Sequence, residues 1–311
     1  MGEEYDSDFV ASGLTGLELA ELVVVELQAG RSVNDQFIDK AVESCLQELD
    51  RVRTDASRGS HSMGGPSAFR LSVELAMYGA ARLWAPLIGA LSDPNVAQID
   101  KGDGLAQLAA QETLPMSVSA SLRESWSAIS NAAQDPFHES NHPRYVGSIL
   151  RLGYRIDAIS RGDYVVRVSK LSSGSALEQI QALGVLAWCT LEESLQVWAS
   201  TLALQLSLSL DPAVRANSGF CLSRHLCTFR AGLVPELVTG RLVELLAEDG
   251  VTVPELALRG LGENPTLRRD QVPLEVLAQV RLAANEHISS SVRAAAAHAL
   301  EAILKQEGGR S

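Results

Sequence analysis

The chain contains one group of residues whose types suit a transition metal. Cys221, His225 and Cys227 lie close together, and thiolate and imidazole are ligands that Zn²⁺ prefers. Cys221 and His225, four residues apart, share one helix face, but Cys227 lies about 240° around the same helix from Cys221. Three ligands on one straight helix cannot converge, so we interpret Cys221 as a small buried residue and predict no metal site.

The rest of the sequence carries no recognisable set of catalytic residues. It has no Gly-x-Ser-x-Gly motif, no P-loop and no Gly-x-Gly-x-x-Gly after a strand. His138-Glu139 is a single His-Glu pair, and His298 lies beside apolar residues, as a structural histidine does. We therefore expect no catalytic residue, no cofactor and no enzyme activity.

Six basic residues form a concentrated patch in a chain that is otherwise acidic. Three share one predicted helix face and three follow them: Arg144, Arg151, Arg155, Arg161, Arg167 and Lys170. One interpretation is a solvated helix face. The alternative is a docking site for a phosphate or an acidic segment, such as the chain's own N-terminal hairpin, held in cis or exchanged between protomers.

Composition favours helices and argues against several classes of partner. Aromatic residues make up 5% of the 311 residues and hydrophobic residues 46%, with Leu and Ala dominant, which suits close helix packing. The net charge is −12, and residues 1–60 hold 13 acidic and 5 basic residues. A nucleic-acid-binding surface would be basic, so we expect no nucleic acid partner.

The lack of a recognisable targeting signal predicts a cytoplasmic protein. The acidic start lacks a basic and then apolar signal peptide, and four cysteines without a C-x-x-C motif fit free thiols in a reducing compartment. The longest uncharged stretch, residues 194–210, has 17 residues and includes Gln196 and Gln205. It predicts a buried helix and no membrane span.

Three segments of the last third match at a spacing of 39 residues. Val214, Val253 and Val292 are equivalent. Small residues follow at four and seven positions, and Leu at eight: Ser218, Ala257, Ala296; Cys221, Gly260, Ala299; Leu222, Leu261, Leu300. This stripe is one face of a helix, and a period near 40 is typical of stacked helical hairpins. The second helices also match at 39, with Leu237 paired with Val276 and Val243 with Leu282.

These residues resemble the HEAT-repeat family. The family's turn pattern is seen in Asp211-Pro212-Ala213-Val214-Arg215 and in Val292-Arg293-Ala294-Ala295-Ala296. The resemblance covers residues 175–306 well and residues 69–174 loosely. Pro254 stands where the pattern has Arg, so that helix is expected to start differently. The resemblance implies an all-α, right-handed α-solenoid of stacked antiparallel helix pairs that binds another macromolecule, usually a protein.

The predicted organisation has four parts. Residues 1–54 form an acidic helical hairpin and residues 55–68 a Gly- and Ser-rich linker. Residues 69–174 are degenerate helical repeats, in which 162–170 fit either a helix or one short strand. Residues 175–311 are HEAT-like repeats that end in a polar cap.

The function that follows is non-catalytic: a scaffold, adaptor or regulatory subunit that binds another protein along the solenoid surface. One alternative is an acidic inhibitor or immunity-type protein that covers a basic partner through residues 1–60. A second is a nucleic-acid-processing enzyme on a HEAT-like scaffold. Self-association through the solenoid ends or the N-terminal hairpin is also open.

Overall fold

The computed structural model describes residues 16–57, 65–111, 113–131, 143–188, 193–226, 234–264, 267 and 272–305. In these residues the chain is all-α and contains no β-strand, as the sequence predicts. The described helices pack mainly on their neighbours in sequence. The chain divides into two compact units, Met1–Tyr164 and Val165–Ser311.

Unit 1 begins with the predicted helical hairpin. Its helices are α1 (Gly16–Gln28), α2 (Asp35–Ser57), α3 (Gly65–Met77), a 3₁₀ turn (Ala81–Leu83), α4 (Trp84–Ser92), α5 (Gln98–Ala110), α6 (Met116–Glu124), α7 (Trp126–Asn131) and α8 (Pro143–Arg155). Helices α1 and α2 pack on each other and on α3. They share one apolar core with α3, so the hairpin belongs to the same compact unit as the helices that follow.

Local signals in the sequence position the hairpin. Gly30 has a φ of 71°, a left-handed conformation that ends α1 without the steric cost a side chain would add. Asn34 caps α2, because its side-chain oxygen accepts a hydrogen bond of 2.9 Å from the Gln36 backbone N–H.

Helix α9 (Arg161–Ser172) contains the boundary between the units, and it settles residues 162–170 as helical. Unit 2 continues with α10 (Ala176–Trp188), α11 (Glu193–Ser207), α12 (Pro212–Arg224), α13 (Val234–Leu246), α14 (Thr252–Gly262), α15 (Leu274–Glu286) and α16 (Ser290–Lys305). The helices form two ranks. In the first rank α10, α12, α14 and α16 pack in succession, and in the second rank α11, α13 and α15 do the same.

The 39-residue register holds in the first rank. Val214, Val253 and Val292 are all buried, as are the small residues four and seven positions later. In the second rank the register differs from the prediction. Leu237 is 61% exposed although its predicted partner Val276 is fully buried, and the next residue, Val238, is buried in its place. From α13 to α15 the spacing is therefore 38 residues, while the first rank keeps 39.

Small residues bring α12 and α14 into close contact. A Cβ atom added to Gly260 would lie 2.5 Å from the Phe220 carbonyl oxygen, and one added to Gly219 would lie 3.1 Å from the Ala257 Cβ. The Phe220 oxygen belongs to the backbone and cannot rotate away. The absence of a side chain at Gly260 is thus what allows the two helices to approach.

We predict that Gly260→Ala destabilises the protein by about 1–3 kcal/mol, because the new methyl group overlaps helix backbone. Gly240→Ala in α13 is the control. A Cβ there would meet nothing within 4 Å, so the change should stabilise by about 0.5–1 kcal/mol through helix propensity. Unfolding free energies from urea titrations measure both, and a stabilising Gly260→Ala would contradict the packing described.

Candidate protein-binding groove in unit 2

Cys221 and His225, the two described members of the possible metal group, are part of the core; Cys227 lies outside the described residues. Both are buried, and burial raises the pKa of the Cys221 thiol to about 12. The His225 Nε2 lies 2.8 Å from the Leu186 carbonyl oxygen. Desolvation lowers the pKa of His225 to about 4, although its backbone hydrogen bonds act in the opposite direction. A buried thiol and an imidazole already bonded to a carbonyl are poor metal ligands.

His225 is one of three side chains that bond carbonyl groups at the C-terminal ends of neighbouring helices. Asn264, 39 residues later, donates from Nδ2 to the Ser223 carbonyl oxygen at 2.9 Å. Arg224, the residue before His225, donates to the carbonyls of Ala187, at 2.9 Å, and Glu263, at 2.6 Å. These three side chains satisfy carbonyl groups at the C-terminal ends of α10, α12 and α14, which have no partner within their own helix.

The basic patch divides into inward-facing and exposed residues. Arg151 is buried and Arg155 partly buried, and both donate to the Ala109 carbonyl oxygen near the end of α5, at 3.3 Å and 3.0 Å. Arg161, Arg167 and Lys170 are exposed on α9. The side chain of Arg144 lies outside the described residues, as do His138 and Glu139.

Two tyrosines interleaved with the patch are part of unit 1's interior. The rings of Tyr154 and Tyr164 stack with centroids 4.7 Å apart, and Tyr164 is fully buried. The aromatic side chains that accompany the basic residues thus contribute to packing.

Arginines neutralise part of the acidic hairpin. Arg31 pairs with Glu26, Arg51 with Glu48 and Arg70 with Glu21, and Arg82 pairs with Asp39 at 3.1 Å. Surface pairs of this kind contribute little to stability, about 0–1 kcal/mol each. They do weaken the negative field that the sequence predicts around α1 and α2.

An open groove of about 330 Å³ lies in unit 2, where α13 and α15 end and their following turns begin. Its apolar lining includes Leu246, Leu282, Ala283 and Ile288. Leu282 is 47% exposed and Ile288 is 91% exposed, so the groove presents apolar surface to solvent. Exposed apolar side chains grouped at a concave surface are typical of interaction sites.

The groove also concentrates negative charge. Glu248, Asp249 and Glu286 line it. They lie at the C-terminal ends of α13 and α15, where the helix dipoles add negative partial charge. Arg215 holds the Glu248 carboxylate through two hydrogen bonds of 3.1 Å. Asp249 and Glu286 are exposed, and no ion pair to either is found among the described residues.

Sequence reasoning missed this groove. A signal for it was Ile288, a large apolar residue in a turn, where polar residues are usual. Leu210, 97% exposed in the turn before α12, is a second case. Neither position belongs to the helical stripe on which the repeat analysis depended.

Comparisons with known proteins leave the family open. No protein-family profile matches the chain, and no curated protein is significantly similar to it. Among the described helices, none is long and apolar enough to cross a membrane. The described residues also contain no group of three His, Cys, Asp or Glu side chains placed to hold a metal ion.

His225 should make the protein sensitive to acid. Its pKa is about 4 in the folded chain and about 6.5 when unfolded, so only the unfolded state binds a proton between these values. Stability is therefore lost as the pH falls from 6.5 to 4, by about 3 kcal/mol in total. His225→Gln keeps a donor at the Nε2 position and removes this titration.

The measurement is the unfolding free energy of wild type and His225→Gln between about pH 7 and pH 4. We expect the variant to lose about 3 kcal/mol less than wild type over this range. Parallel curves for wild type and His225→Gln would contradict the assignment of His225 as a buried neutral cap.

Proposed function

We propose that this protein is a non-catalytic protein-binding module, a scaffold, adaptor or regulatory subunit, whose unit 2 is a HEAT-like solenoid of right-handed sense. Support for the repeat comes from the two ranks of helices and from the 39-residue register of the first rank. In such a stack each hairpin buries its apolar face on its neighbours, which leaves long surfaces for partners.

One observation carries the binding role: the groove at the ends of α13 and α15 exposes Leu282 and Ile288 beside carboxylates. Exposing large apolar side chains costs about 25 cal/mol per Å² relative to burying them. A partner that covers them would recover this free energy. The carboxylates around the groove would then favour one orientation of that partner.

The groups with strongly shifted pKa values support a structural role over a catalytic one. Cys221 and His225 are buried, and His225 is bonded to a helix carbonyl. Lys101, whose pKa burial lowers to about 8, donates to the Asp93 carbonyl oxygen at 2.5 Å. None of these three lines the groove, whereas catalytic groups with shifted pKa values usually cluster in a cleft.

The test is affinity capture of partners from an extract of the source organism, quantified by mass spectrometry. The bait is the full chain, compared with the double variant Leu282→Ser, Ile288→Ser. The matched control is Leu274→Ser, because Leu274 is 80% exposed on the same helix but at its other end. All baits should first show the same thermal unfolding midpoint.

We expect a protein that wild type and Leu274→Ser recover at similar stoichiometry and that the double variant loses at least tenfold, since an apolar contact of this size contributes about 1–3 kcal/mol. Equal recovery by all three baits would exclude the groove as the binding site. Recovery of nucleic acid alone would contradict the proposal and favour the enzyme alternative.

A further inference from the structure

Two turns of unit 2 contain a guanidinium from the helix that follows. Arg215 in α12 donates from Nη1 to the carbonyls of Ser209, at 3.0 Å, and Leu210, at 2.9 Å. Arg293 in α16 donates from Nη1 to the carbonyls of His287, at 2.6 Å, and Ile288, at 3.0 Å. The same position in the repeat thus makes the same pair of bonds, with the carbonyls six and five residues before the arginine.

The turn between them, which precedes α14, is different. Pro254 lies 39 residues after Arg215 and 39 before Arg293, and it has no side-chain donor. The equivalent carbonyl groups belong to Glu248 and Asp249. Within the described part of the chain, no hydrogen bond to either carbonyl oxygen is found. In the two neighbouring turns the equivalent carbonyls accept hydrogen bonds from a guanidinium. In the middle turn no guanidinium is available from the equivalent position of the repeat.

This turn lines the groove. Glu248 and Asp249 share the lining with Leu282 and Ile288, and Glu286 adds a third carboxylate. Arg215 reaches the Glu248 side chain from the neighbouring repeat, which leaves Asp249 and Glu286 to set the charge of the opening. A cation with several N–H donors complements such a surface, and apolar groups beside it complement Leu282 and Ile288.

Resting on the proposed protein-binding function, we propose that the groove binds a partner segment through an arginine flanked by apolar residues. Its guanidinium donates to the Glu248 and Asp249 carbonyls and pairs with the Asp249 carboxylate, and the flanking side chains cover Leu282 and Ile288. Arg215 shows that one guanidinium can bond two carbonyls of such a turn and a carboxylate at once, its carboxylate being that of Glu248 in the next repeat. A lysine has no planar fork for this combination.

The experiment selects phage-displayed random dodecapeptides against the full chain and measures the dissociation constants of the enriched peptides by fluorescence anisotropy. The decisive variant is Pro254→Arg, which supplies the guanidinium from within the chain. Pro254→Ala removes the ring without adding a donor. Glu275→Gln, on α15 but outside the groove, makes the same change in net charge as Pro254→Arg.

We expect the enriched peptides to contain arginine next to apolar residues. They should bind Pro254→Ala and Glu275→Gln within about twofold of wild type, and Pro254→Arg at least tenfold more weakly, because charge-assisted hydrogen bonds of this kind are lost. Asp249→Lys should weaken binding similarly, and it provides a second test should Pro254→Arg fail to fold. Replacing the peptide arginine with lysine should also weaken binding.

Three results would overturn the inference: no enrichment, enriched peptides without arginine, or peptides that bind Pro254→Arg as tightly as wild type. Failure of the proposed function can be distinguished from failure of this inference. If Leu282→Ser, Ile288→Ser abolishes capture of a cellular partner while Pro254→Arg leaves it unchanged, then the groove binds proteins and the arginine assignment is wrong. If neither variant affects capture, both are wrong.

Discussion

Carbonyl groups at the C-terminal ends of short helices are the constraint on which this structure depends. The last four carbonyls of each helix have no partner within the helix, and leaving one buried without a donor costs about 1–3 kcal/mol. Here side chains from other helices supply the donors. They are Lys101 at Asp93, Arg151 and Arg155 at Ala109, Arg241 at Ser207, and Arg224 at Ala187. Each bond caps one helix and also fixes its neighbour.

Because these basic side chains bond groups inside the fold, fewer positive charges are left on the surface that a partner would contact. The chain has 26 Lys and Arg against 38 Asp and Glu, and several of the basic groups point inward. Arg151 and Arg155, two of the three residues expected to share one face of α8, are hydrogen-bonded to α5. An anion-docking role therefore depends on the exposed Arg161, Arg167 and Lys170, and the exposed surface is more acidic than composition alone suggests.

Features that depend on residue type could be predicted from the sequence. Features that depend on which distant group a long side chain contacts could not. Asp211 caps α12 through bonds to two backbone N–H groups, as its Asp-Pro pattern indicates. The second-rank register was misread because Leu237 and Val238 are both apolar, so a shift of one residue leaves the pattern intact. An arginine that reaches a carbonyl 42 residues away has the same sequence pattern as one that reaches water. The groove was missed because turn residues such as Glu248, Asp249 and Ile288 form part of its lining, and the repeat pattern describes only helix faces.

Pro254 shows how one position can serve the fold and still leave a surface for binding. Proline in the first turn of a helix loses no hydrogen bond and has a φ suited to the helix, which compensates for a start at Val251 without a side-chain cap. The arginines at the equivalent positions of α12 and α16 instead stabilise the preceding turn. The turn before α14 lacks this stabilisation. The same turn lines the groove at the ends of α13 and α15, beside exposed apolar residues. The turn that lacks an internal cation is therefore also the turn where a partner's cation would gain most.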